Sequence, residues 1–133
     1  MRTLPLIVVL FVTSFVNANK IIYAKKDVER IAEVASICTK SVHVDPKYSL
    51  DLDDIRDFPS RKEIKCLSLC MIELFGLLSK EHRFLPEAYL SYMDDPIIIQ
   101  EAKASMDKCL PQYDIIDSCE DAYDLHQCIL KNF

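Results

Sequence analysis

The sequence predicts an all-α domain of six short helices stapled by three disulfides, and three observations carry that prediction. Glycine occurs once in 133 residues, at Gly76, against six prolines. Tight turns between strands usually need glycine at positive φ, so a β-rich chain is disfavoured. Apolar residues recur at helical spacing between the prolines. Six cysteines follow a leader-like start, and an even count in a small secreted chain reads as three disulfides.

The leader is read from Met1-Arg2, a positive start, and the apolar run Leu4 to Val16, too short to span a membrane. Val16-Asn17-Ala18 places small residues at the expected cut, so residues 1–18 are expected to be a signal peptide and 19–133 the mature domain. Cleavage after Ala24 is the weaker alternative. The formal charge is −5 with no clustered Lys or Arg, which disfavours nucleic acid and anionic membrane surfaces as partners.

Pro46, Pro59, Pro86, Pro96 and Pro111 divide the mature chain into six segments, because proline breaks a helix interior and suits its first turn. The first runs from about Lys26 to Val44, with Val28, Ile31, Val34 or Ala35, Cys38 and Val42 near helical spacing. The second, Leu50 to Phe58, is short and acidic. The third, Ser60 to Lys80, is the most apolar, opening on a Ser60/Glu63 capping box. Ile64, Met71, Phe75 and Leu78 form one stripe on it, and Leu67, Cys70, Leu74 and Leu77 the next, so most of its circumference should be buried. A fourth segment begins near Pro86 and ends by Asp94. The fifth opens with Asp95 as cap and Pro96 at its first position and continues through Ala102, Met106 and Cys109. LPQYDII is then a loop, and Asp117 and Glu120 are a plausible cap pair for the sixth segment.

Cys66 and Cys70 share a helix face at i,i+4, where Cβ atoms lie about 5–6 Å apart. A disulfide needs about 3.8 Å, so they do not bond to each other. Cys119 and Cys128, nine residues apart on one helix, are separated by about 13.5 Å. Of the fifteen connectivities open to six cysteines, these exclusions leave ten. The rival reading, zinc on Cys-x3-Cys, lacks the usual Cys-x2-Cys spacing and nearby ligands, so neither metal nor cofactor is expected.

The pattern Cys38-x27-Cys66-x3-Cys70-x38-Cys109-x9-Cys119-x8-Cys128, with the leader, resembles that of the insect odorant-binding proteins of the pheromone-binding and general odorant-binding type. The x3 and x8 intervals are its specific part, and the text around them, CLSLCMIELFGLL and DSCEDAYDLHQC, is similar as well. The resemblance implies the pairs Cys38–Cys70, Cys66–Cys119 and Cys109–Cys128, six helices around an apolar cavity, and carriage of odorants or pheromones to olfactory receptors. A monomer or weak homodimer is expected. The chain departs from the family in having no glycine in the KEHRF connection. Its tail after Cys128, Ile129 to Phe133, is too short for the extra helix that plugs the pocket in some relatives.

Within that resemblance the candidate ligand wall is Met71, Phe75, Leu78, Leu85, Tyr89, Met93, Tyr113, Tyr123 and Phe133, since methionine and aromatics suit an adaptable apolar pocket. At helical spacing the same residues also serve as plain core. An enzyme is not expected: His43, His82 and His126 are isolated, and neither GxSxG nor HExxH is present. His82, in the loop after the third segment, is the candidate for an acid-sensitive residue at the pocket mouth. A secreted scavenger or carrier in saliva, glands or reproductive fluid is the alternative to an olfactory carrier.

Overall fold

The computed structural model describes residues 23–45, 48, 64 and 66–133, and among these five α-helices and one short 3-10 turn are bounded. The expected leader, the second segment (Leu50 to Phe58) and the Ser60/Glu63 cap lie outside those residues. The turn Lys25–Asp27 leads into α1, Val28–Ser41; α2 is Leu67–Leu74, α3 Pro86–Leu90, α4 Pro96–Tyr113 and α5 Cys119–Lys131. Among the described residues there is no strand, only the isolated bridges Leu78–Phe84 and Arg83–Ile115. None of the described helices is long and apolar enough to cross a membrane. The fold is all-α, as the composition and spacing predict.

Local chemistry explains several helix ends. Asp95 caps α4, its Oδ1 accepting the Ile97 N–H at 2.9 Å, and Pro96 follows in the first turn. The α5 cap is displaced by one residue from the expected Asp117/Glu120 pair. Ser118 Oγ accepts the Asp121 N–H at 3.1 Å, and Asp121 Oδ2 accepts the Asp117 N–H at 2.9 Å. Ser118-x-x-Asp121 satisfies two orphan donors reciprocally, as a capping box does. Pro111 does not end α4, which runs on to Tyr113. Its missing N–H leaves only the exposed Asp107 turn without one bond, where water can replace it.

The expected Ser60 to Lys80 helix stops much earlier, at Leu74. The chain's single glycine, Gly76, has φ 71°, the Gly76 N–H donates to Glu73 O, and the Leu77 N–H donates to Ile72 O at 3.0 Å. These bonds make a Schellman cap, with buried Leu77 and Ile72 supplying its apolar contact. The same motif ends α1, where His43 takes φ 58° and the Val44 N–H donates to Thr39 O at 3.1 Å. Leu78 therefore leaves the helical stripe and bridges Phe84. The Phe84 N–H donates to Asp114 O and the Ile116 N–H to His82 O, both at 2.8 Å. The connection after α2 is thus sewn to the one after α4.

Disulfides join Cys38 to Cys70, Cys66 to Cys119 and Cys109 to Cys128, and no cysteine is left unpaired. They tie α2 to α1 and to the first residue of α5, and α4 to the last part of α5. Packing follows the same connections: α5 lies against α4 and α2, α1 against α2, and α3 against α4. Two apolar cores result. The larger centres on Met106, Ile116, Leu125 and Leu130; the smaller contains Val34, Cys38, Ile64, Leu67, Met71 and Tyr123.

Gly76 offers a direct check on the α2 cap. A Cβ there would meet no atom within 4 Å, so only the left-handed backbone opposes a side chain. Gly76→Ala should cost about 1–2 kcal/mol in urea unfolding, and Gly76→Asn less, because asparagine tolerates this region. Equal stability of Gly76→Ala and the parent would contradict the cap.

Candidate functional site

The site lies at the seam between the two cores. On α2, Leu67 and Met71 belong to the smaller core and Ile72 to the larger, while Phe75 packs against both. A partly enclosed cavity of about 60 Å3 opens along this seam. Ser68, Met71, Ile72 and Phe75 line it from α2, and Leu125, His126 and Ile129 from α5. Tyr23, Leu77, Phe84 and Tyr89 complete its wall. A second chamber, of about 40 Å3, shares Tyr23, Met71, Phe75, Leu77 and Tyr89 with the first and adds Ile31 and Tyr92. No described residue lining either chamber carries a fixed charge.

Aromatic packing gives the wall its shape. Phe75 and Tyr92 meet edge to face with centroids 5.1 Å apart, and Phe84 and Tyr89 do so at 6.0 Å. The Tyr92 hydroxyl donates to Phe75 O at 3.0 Å, near the end of α2. Tyr23 reaches the wall because the Ala24 N–H donates to Tyr92 O at 2.7 Å, pinning the start of the described chain over the end of α3. The Tyr23 and Tyr89 hydroxyls share a hydrogen bond of 3.4 Å. In the larger chamber, Ser68 Oγ and His126 Nδ1 share one of 3.0 Å.

Of the nine expected wall residues, the structure brings Met71, Phe75 and Tyr89 together at these chambers. Met93, Tyr113 and Phe133 pack in or against the larger core, and Tyr123 is buried in the smaller. Leu85 precedes α3 and is exposed. Leu78 lines a separate, wider groove of about 310 Å3 with Glu73, Lys80, His82 and Asp117. His82 is therefore not at the mouth of the seam. Its Nδ1 pairs with Asp117 Oδ1 at 2.6 Å, and both side chains are exposed. The histidine in the wall is His126.

Sequence reasoning missed Tyr23, Ser68 and His126. Ser68 carries a usable signal: it is the only hydroxyl between Cys66 and Cys70, in the apolar first turns of α2. His126 lies one residue from Leu125 and three from Ile129, on the face of α5 that turns to α2. Tyr23 precedes the first helix and offers no periodic signal.

The arrangement holds apolar matter and offers hydrogen bonds at two places. Among the described residues, no three His, Cys, Asp or Glu side chains gather as a metal would require. The family model described as PBP/GOBP family matches residues 22–132. No curated protein and no solved structure matches the chain.

Met71 borders both chambers and is buried, so its truncation tests whether they act as one site. Met71→Ala should cost about 2–5 kcal/mol of stability and shift preference toward bulkier apolar probes. Urea unfolding and probe competition measure the two effects, and unchanged size preference would show that Met71 does not separate the chambers.

Proposed function

The chain belongs to the PBP/GOBP family, and on that premise we propose that it is a secreted carrier of small hydrophobic molecules, odorants or pheromones. It takes such a molecule reversibly into the seam between α2 and α5 and delivers it to receptors. The observation that carries this reading is the uncharged, partly enclosed cavity bordered by Met71, Phe75 and Tyr89, inside helices that three disulfides hold in place. Burial of apolar ligand surface supplies the affinity, and methionine beside aromatics lets the wall adapt to more than one shape. The family binds and carries, and no catalytic role is ascribed to this chain.

Secretion belongs to the same proposal: residues 1–18 direct export and 19–133 form the mature domain. The six paired cysteines support it, because structural disulfides persist in oxidising compartments.

Oxidised protein should bind a fluorescent apolar probe with micromolar affinity, equivalent to about −8 kcal/mol. Odorant-like compounds should displace it, and charged analogues should do so less well. Absence of probe binding by protein with all three disulfides formed would overturn the carrier reading.

A further inference from the structure

We infer that Ser68 and His126 form the polar anchor of the cavity, selecting a neutral apolar ligand that carries a single oxygen, such as an alcohol or aldehyde. The inference rests on the carrier reading and adds the chemistry of the ligand's head to it.

Ser68 is 1% exposed, and its hydroxyl lies in the wall of the larger chamber, 3.0 Å from His126 Nδ1. A serine hydroxyl has one proton and two lone pairs, so the bond to one imidazole nitrogen leaves it further capacity. Either atom can supply the shared proton. If Nδ1 accepts, Ser68 Oγ still accepts from a ligand hydroxyl. If Nδ1 donates, the Ser68 proton can turn to a ligand carbonyl. The pair therefore serves both oxygen types without moving.

The remainder of this chamber is apolar, apart from the Tyr23 and Tyr89 hydroxyls, which bond to each other and also border the second chamber. Ser68 and His126 border only the larger one. The larger chamber is thus marked for an oxygen, while Ile31 and Tyr92, which border only the second, offer hydrocarbon contact there. No lysine or arginine lines either chamber, so an ionised carboxylate would enter without a fixed counter-charge, at a large desolvation cost. A pure hydrocarbon would leave the anchor's capacity unused.

The test uses one carbon skeleton with four heads. Decane, 1-decanol, decanal and decanoate compete for N-phenylnaphthylamine bound to the oxidised full-length mature protein, parent and Ser68→Ala. In the parent, decanol and decanal should bind about tenfold tighter than decane, the worth of one good hydrogen bond. Decanoate should bind more weakly than decanol. In Ser68→Ala the decanol-to-decane ratio should fall toward one. A parent that binds decane and decanol alike, or a folded variant that keeps the ratio, overturns the anchor. Should Ser68→Ala fail to fold, nitrogen-15 spectra of the parent decide. The His126 ring nitrogens should shift on adding decanol and not on adding decane, and identical spectra in the two cases overturn the inference. Failure of the probe itself to bind would overturn the carrier reading, and this inference with it.

Discussion

An eight-residue helix does not persist alone in water, because its few hydrogen bonds barely repay nucleation. α2 is such a helix, and everything near the cavity depends on its being held. Cys66, at its N-cap, is bonded to the first residue of α5, and Cys70, one turn on, to Cys38 near the end of α1. Arg30 of α1 adds a third tie by donating from Nη2 to Leu74 O at 2.8 Å, satisfying one orphan carbonyl at the C-terminal end. α5 is clamped in turn at Cys119 and Cys128, about 13.5 Å apart along its axis. Leu125 and His126 lie between those clamps. The two walls of the cavity are therefore fixed by covalent bonds outside it, which leaves their facing side chains available to line an opening.

That division matters because the opening is small. At about 24 cal/mol per Å3, a cavity of about 60 Å3 costs on the order of 1–2 kcal/mol. One disulfide closing a loop of this kind contributes about 2–4 kcal/mol. The three staples exceed what this cavity requires, so its cost alone does not account for them. Positional control of two short walls does, together with durability of the folded chain. A ligand larger than either chamber needs Met71 or Phe75 to move. Those are two of the five residues the chambers share, and methionine moves between rotamers at little cost.

The fold class was legible because one glycine in the chain and five prolines after residue 18 leave few architectures other than short helices. The cysteine pairing was legible only in part. Helix geometry excludes the bonds within α2 and within α5, whereas choosing one pairing among ten required the resemblance. Where the helix reading failed, at Leu74, the signal was present in Gly76: a glycine past an apolar run is a C-terminal stop, and the stripe through Leu77 and Leu78 overrode it. For the site, Met71 and Phe75 were readable from the stripe that faces the seam. Tyr123 and Met93 share their chemistry but are buried in the two cores, a placement that periodicity does not carry. Ser68 and His126 become a pair only when α2 is laid on α5, since 58 residues separate them in the chain.

Tyr23 ties the start of the described chain to the pocket. The two candidate cuts in the leader differ by six residues, and they are not equivalent for the cavity. Cleavage after Ala18 keeps Tyr23 in the wall of both chambers, and keeps the Ala24 N–H bonded to Tyr92 O. Cleavage after Ala24 would remove both, exposing Phe75 and Tyr89 on the side that Tyr23 covers. A cut after Ala18 would therefore keep the Tyr23 side of the wall in place, whereas one after Ala24 would open it.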